Sequence, residues 1–324
     1  MKFVGFTLLG LLGLFTSCSG VKSIAVSTTG SVLYDATYAM ERENSWENFE
    51  KAVLGNLAFV EGLLYLDPEN EELLTSAIKG YTGYAFAINE TLFLNDQLAE
   101  NDLQINKKAA IHNFSKALKY GIQFLKFNNI EYMQLVRAAK EKNGIKSLLD
   151  KELSSEKLSY EAVLFSAQAL ASLINLQKDK MTMVGQLPVA KSLFDWVCEK
   201  DPTISFGACD IFYGAYYAGR PKIFGGDPAK GKAIFLNLIK NNPKNWLARV
   251  AYMQFYLIPL ADEDGHKEQS FFLEKFLHYH NQERIWNPIE KDYEQMFGEK
   301  NLRIYQTIAI ERYKIIKKYQ KDLF

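Results

Sequence analysis

Metal and nucleophile chemistry is thin in this sequence. Of its 4 histidines and 3 cysteines, none is placed for catalysis. His278 and His280 are two residues apart on a predicted helix, so their side chains diverge and cannot close on one metal. Cys198 and Cys209 have no histidine beside them, and there is no hydrolase elbow, phosphate loop, dinucleotide fingerprint or zinc-protease helix. Neither an enzyme, a metal nor a cofactor is expected. The residue types suit recognition instead. In the segment Phe206–Arg220, helical spacing puts Gly207, Ile211, Gly214 and Ala218 on one small packing face. Phe206, Asp210, Tyr213, Tyr216, Tyr217 and Arg220 lie on the other. Tyrosine joins apolar area to a polar tip, a mixture found in pocket walls. The stripe reads first as core and second as the lining of a ligand site. Asp210 is costly if buried without a partner, and Arg249 is equally out of place between Ala248 and Val250. They are expected to face each other or a cavity, where Arg249 could meet an acidic ligand; a structural ion pair or solvent exposure is the alternative.

The elements that would carry these residues are helices. One pattern recurs: a small residue, a Phe four on, a small or modest residue three further, and often a Pro shortly after. It occurs at Gly55, Phe59, Gly62 and Pro68; at Ala110, Phe114 and Ala117; at Ala190, Phe194, Val197 and Pro202; and at Gly231, Phe235, Leu238 and Pro243. Steps of four and three share one helix face, where a small residue admits a neighbouring backbone and Phe fills the space beside it. This resembles the second helix of a tetratricopeptide repeat. Asp67-Pro68, Asp201-Pro202, Asp227-Pro228 and Asn242-Pro243 are expected to cap the helices that follow. Tyr160–Leu176 is apolar nearly all round and should be central, Asn143-Gly144 should break two short helices, and Asn301–Lys321 should be a closing helix. The predicted fold is all-α, an irregular array of tetratricopeptide-like hairpins curled into a compact body. The 38 basic and 38 acidic residues cancel, so nucleic acid is not an expected partner.

At the N-terminus, Met1-Lys2, an apolar run from Val4 to Phe15 and Thr16-Ser17-Cys18 resemble a bacterial lipoprotein signal, with Cys18 acylated after cleavage. Ordinary secretory cleavage beside an incidental Cys is the alternative. The domain expectation is a signal peptide over 1–17, a lipidated tether over 18–42 and one helical domain over 43–324. Ser19 in place of Asp points to the periplasmic face of the outer membrane. In such an oxidising compartment Cys198 and Cys209 could pair, but their unequal spacings to the Asp201-Pro202 turn favour free, buried thiols.

Residues 160–316 resemble the T component associated with tripartite ATP-independent periplasmic (TRAP) transporters, the TatT family. The marks are Tyr160–Asn175, Leu187-Pro188, the Leu193–Pro202 helix ending in Asp-Pro, Phe212-Tyr213-Gly214-Ala215-Tyr216-Tyr217-Ala218, Arg220-Pro221, Gly225-Gly226-Asp227-Pro228-Ala229-Lys230, Phe235 and Asn301–Ile316. The Gly-Gly-Asp-Pro element after an aromatic helix is the most specific. Phe206-Gly207-Ala208-Cys209, Gly231 and the polar His266–Asn287 region depart from the family pattern. The resemblance implies a trimeric periplasmic lipoprotein with a pore or cavity through each protomer and no catalytic activity. It also implies docking of a periplasmic solute-binding subunit that serves a membrane permease. The expected function is accessory: binding a partly apolar organic solute and that partner. The rival expectation is a scaffold lipoprotein for envelope assembly without a small-molecule site.

Overall fold

The computed structural model of the chain describes residues 17–286, 288 and 294–324. Among them the regular structure is entirely helical, as expected. The N-terminal half comprises α1 (Ser17–Met40), α2 (Trp46–Leu66), α3 (Glu71–Tyr84), α4 (Glu90–Leu98), α5 (Ile105–Phe127), α6 (Tyr132–Ala138), α7 (Gly144–Glu152) and α8 (Lys157–Leu176). It continues through α9 (Leu187–Lys200), α10 (Ala208–Ala218), α11 (Pro228–Asn241), α12 (Trp246–Tyr252), α13 (Glu263–Glu283) and α14 (Arg303–Lys318). Two π-helical turns, Ala85–Asn89 and Met253–Leu257, interrupt the line from α3 into α4 and the continuation of α12. As its composition predicts, α8 is central, packing on α3, α5 and α9. Asn143, in the left-handed region at φ 59°, breaks α6 from α7 as expected. No helix among the described residues is long and apolar enough to cross a membrane.

The small–Phe–small pattern marks close helix crossings in three of its four copies. Ala110, Phe114 and Ala117 are fully buried, as are Ala190, Phe194 and Val197 within a few per cent, and Phe235 and Leu238 likewise. The α10–α11 crossing brings backbones together: a Cβ on Gly231 would sit 2.8 Å from the Ala218 nitrogen and the Gly214 carbonyl oxygen. A Cβ on Gly214 would strike the Phe235 ring. The fourth copy corrects the expectation. On α2 the buried stripe is Phe49, Val53, Leu57, Val60 and Leu64, so Phe59 is 55% exposed and a Cβ on Gly55 or Gly62 would meet nothing. Two apolar stripes overlap on that helix, and periodicity does not say which one faces inward.

Two further expectations are corrected. The stretch read as a tether is helical, and α1 enters the body: Val26 joins the core, and Tyr34 and Tyr38 both donate to Glu161 at 3.0 and 2.9 Å. The leader read over 1–17 lies, apart from Ser17, outside the described residues. Of the four Asp/Asn-Pro pairs only Asp227-Pro228 caps the next helix, with the Asp227 carboxylate accepting from the Lys230 N–H. Asp67, Asp201 and Asn242 instead end the preceding helices, with φ of −140°, −140° and −123°, each donating its N–H four residues back. Asn70 takes over as the cap of α3.

Two outcomes follow from this packing. Gly231→Val should destabilise by about 1–3 kcal/mol through overpacking against backbone, whereas Gly62→Ala should stabilise by about 0.5–1 kcal/mol; urea melts of both variants check the opposite signs. His280 is 1% exposed, and burial together with the nearby Arg284, Lys314 and Arg303 pushes its pKa down to about 4. Unfolded histidine takes a proton near pH 6.5. The stabilisation of the neutral ring is therefore complete above that pH and is lost as the pH falls toward 4. The unfolding free energy from urea melts should drop through that window, by at most about 1.4 kcal/mol per pH unit for each such group. His280→Gln should flatten the slope.

Candidate functional site

The residues singled out on α10 form a patch with neighbours from α9. The Tyr213 hydroxyl donates to Asp195 at 2.6 Å, and Lys191 pairs with the same carboxylate at 2.7 Å. Tyr216 meets Tyr217 edge to face at 5.4 Å, Arg220 lies over the Tyr216 ring at 4.4 Å, and Lys230 lies over Tyr217 at 3.9 Å. These tyrosines are half-buried, and burial, with the Asp195 carboxylate beside it, raises the Tyr213 pKa. The Asp210 side chain is half-buried with no ion pair or hydrogen bond among the described residues, and burial raises its pKa. Arg249 does not join it. It turns toward α13, donates to the Gln269 amide oxygen at 2.7 Å and stacks on Phe272 at 4.2 Å. The expected facing of Asp210 and Arg249 is not formed.

Cys198 and Cys209 form a disulfide, with Cα atoms 5.8 Å apart, against the expectation of free thiols. The unequal spacings are absorbed by a run of left-handed residues, Ser205 (φ 48°), Phe206 (φ 56°) and Gly207 (φ 98°), which folds the chain back between α9 and α10. Non-glycine residues are uncommon there, and strain of this kind persists only where the surroundings over-determine it. The bridge, the Asn245 amide donating to the Phe206 carbonyl at 2.6 Å and the Phe206 ring edge-on to Tyr305 at 5.6 Å supply those constraints.

Phe206 stands between two spaces. Outside it is a surface cleft of about 210 Å³, lined also by Asn241, Lys244, Asn245, Glu299 and Leu302. Inside, three helical segments run side by side in one direction and present matched faces. The first carries Lys79, Gly83, Phe86 and Glu90, the second Glu161, Phe165, Gln168 and Ser172, and the third Tyr305, Ala309 and Arg312. In the first two segments the steps are four, three and four residues, so each set lies on one face and extends about 16 Å. Their ends meet in register. At one end Lys79 pairs with Glu41 at 2.8 Å and Glu161 at 3.5 Å, with the Tyr38 ring beneath its ammonium at 4.0 Å. At the other Arg312 faces Glu90 at 3.6 Å, and Ser172 hydrogen-bonds that carboxylate.

Between the ends the space is open. A Cβ on Gly83 would meet no atom within 4 Å, and Gly83, Phe86, Gln168, Ser172 and Tyr305 are all half-buried although they sit on inward faces. Burial is the largest influence on Glu90 and Tyr305, raising both pKa values, yet the Glu90 side chain stays 16% accessible. A group enclosed by protein and still accessible lines an interior space. We call it the lane. Its charged residues escaped the sequence reading because they lie far apart in sequence. The same signal as at Arg249, a charge set in an apolar stretch of helix, also marks Lys79 and Glu161, whereas Arg312 is masked by its charged neighbours Glu311 and Lys314.

The class defined is an all-α array of packed hairpins around an interior lane with a polar group at each end. The sequence profile described as TRAP transporter T-component matches residues 43–284, three quarters of the chain, and the chain belongs to that family. Membership carries an accessory role in TRAP transport, association with that transport system and a place in the cell envelope. No curated protein matches the sequence individually.

The disulfide closes the strained loop that presents Phe206, so its loss should be measurable. A Cys198→Ser, Cys209→Ser double variant should lose about 2–4 kcal/mol of unfolding free energy. Dithiothreitol should lower the wild-type melt by the same amount and leave the double variant unchanged.

Proposed function

We propose that this chain holds a partly apolar organic solute in the lane and exchanges it with the solute-binding subunit of a TRAP system. The matched faces carry the proposal: apolar and aromatic walls from Phe86, Phe165 and Tyr305, with polar groups confined to the two ends. That distribution suits a small amphipathic molecule. The cleft outside Phe206 supplies a mouth, and the half-buried patch of Tyr213, Tyr216, Tyr217, Arg220 and Lys191 a surface for the partner. Acylation at Cys18 would hold the protein on the periplasmic face of the outer membrane, since several acyl chains together anchor firmly. The protein works as a homotrimer in this proposal. The outward stripe of α2, where Phe59, Leu54 and Leu66 are 55%, 46% and 47% exposed, is the helix-packing face offered to another protomer.

Native mass spectrometry of the purified protein tests the proposal. The expected spectrum is a trimer with a small-molecule adduct that is released on denaturation. Gly83→Leu, which fills the open middle of the lane, should lower adduct occupancy at least tenfold while the trimer persists. Phe59→Glu should do the reverse, breaking the trimer and sparing the adduct. A wild-type trimer that carries no adduct while still capturing the solute-binding subunit would favour the scaffold function over solute binding.

A further inference from the structure

The charges at the two ends of the lane cancel where they stand. At one end Lys79 lies between Glu41 at 2.8 Å and Glu161 at 3.5 Å, and Lys157 approaches Glu161 at 4.0 Å from outside, so two ammonium groups meet two carboxylates. The Lys79 nitrogen is fully covered, and Glu161 already accepts from Tyr34 and Tyr38. At the other end Arg312 and Glu90 face each other one to one at 3.6 Å. The guanidinium donates to Thr91, Gln254 and the Phe86 carbonyl, lies over the Phe86 ring at 4.2 Å, and leaves a side chain only 2% exposed. Ser172 spends its hydroxyl on Glu90, and Ser205 hydrogen-bonds the Tyr305 hydroxyl. A charged head entering this space would give up its hydration and find no free counter-charge.

Gln168 is different. It lies on α8 between Phe165 and Ser172, just inside the Arg312 end. Its side chain is half-buried and makes no hydrogen bond among the described residues, and its amide atoms stay accessible. A glutamine amide offers two N–H donors and one acceptor oxygen without charge. Its complement is a neutral group that also both donates and accepts, and such a group loses far less on leaving water than an ion does.

We propose that the lane selects an uncharged solute, with an amide or hydroxyl group on an apolar body, and that the Gln168 side chain receives that group. This rests on the lane being the solute site. Titration calorimetry on the purified full-length protein tests it with three probes that share one body: 3-phenylpropionamide, 3-phenylpropionate and 3-phenylpropylamine. The amide should bind about tenfold more tightly than either ion, because only the ions arrive with a charge to desolvate. Gln168→Leu, close in size and unable to hydrogen-bond, should weaken the amide about fivefold and change the ions by less than about twofold. Gln168→Glu puts one uncompensated carboxylate at the same position and should make the amine the tightest of the three; it decides the matter should Gln168→Leu fail to fold. Tightest wild-type binding of either ion, or an amide preference unchanged by both substitutions, would overturn the neutral head and leave the lane as a solute site. Failure of all three probes to bind also overturns it. If purified protein then carries no native adduct either, the lane fails as a solute site as well.

Discussion

The guanidinium of Arg312 ties the interior together. Removing such a group from water costs several kcal/mol, and only close hydrogen bonding offsets that cost. Arg312 obtains it from two separate parts of the chain: the Phe86 carbonyl, the Glu90 carboxylate and the Thr91 side chain on one line of helix, and Gln254 on another. Two of these partners lie in the π-helical turns. In the first, the Glu90 N–H donates five residues back to Ala85; in the second, Ile258 donates five residues back to Met253. A π turn widens the helix and re-aims the residues after it, and such turns concentrate at functional sites. Here they aim a carbonyl and an amide at one cation. Loss of a single partner would leave a charge buried and uncompensated, which typically costs about 3–5 kcal/mol.

From that anchor the lane's geometry follows. Arg312 fixes α14 against the start of α4, and Ser172 fixes α8 to the same point through Glu90. Seven residues earlier on α14, Tyr305 reaches the level of Lys79 and Glu161, where burial, and then the carboxylates of Glu41 and Glu161, raise the pKa of its hydroxyl. The neighbouring Ile304 N–H donates to the Glu41 carbonyl at 3.0 Å. Helices joined at both ends by polar contacts need not close on one another in the middle. The glycine at position 83 and the half-buried Gln168 leave that middle open.

The array and the family were legible because their signals are local. A small residue opposite a Phe, a Gly-Gly-Asp-Pro turn and a nearly all-apolar Tyr160–Leu176 each imply a packing relation within a few residues. The site was less legible because its relations are long-range: Lys79 with Glu41 and Glu161, Glu90 with Arg312, Phe206 with Tyr305. Attention went instead to the densest tyrosine run, Tyr213 to Tyr217, which lies half-buried on the α9–α10 side. The Ser-, Thr- and Gly-rich start of α1 reads as linker by composition, yet contacts made much later in the helix, from Tyr34 and Tyr38 to Glu161, hold it to the body. The disulfide was hidden for a related reason. A left-handed Ser205–Phe206 pair is not encoded by the residue types expected to adopt it, so the distance between the cysteines could not be judged from spacing.

Buried charge also bears on the choice between a solute carrier and a scaffold. A scaffold built from stacked hairpins needs a filled apolar core, and buried ion pairs can often be replaced by well-packed hydrophobic residues without loss of stability. Nothing in hairpin stacking calls for Lys79, Glu161, Glu90 and Arg312 to face one interior space, or for Gly83 to leave it open. Nor does stacking call for a strained aromatic between that space and a surface cleft, pinned by a disulfide on one side and Asn245 on the other. A protein that must admit a solute, hold it lightly and release it to a partner has a use for each of these features. In the proposed function, the polar contacts at the lane's ends would make binding selective, and the apolar walls between them would keep it reversible.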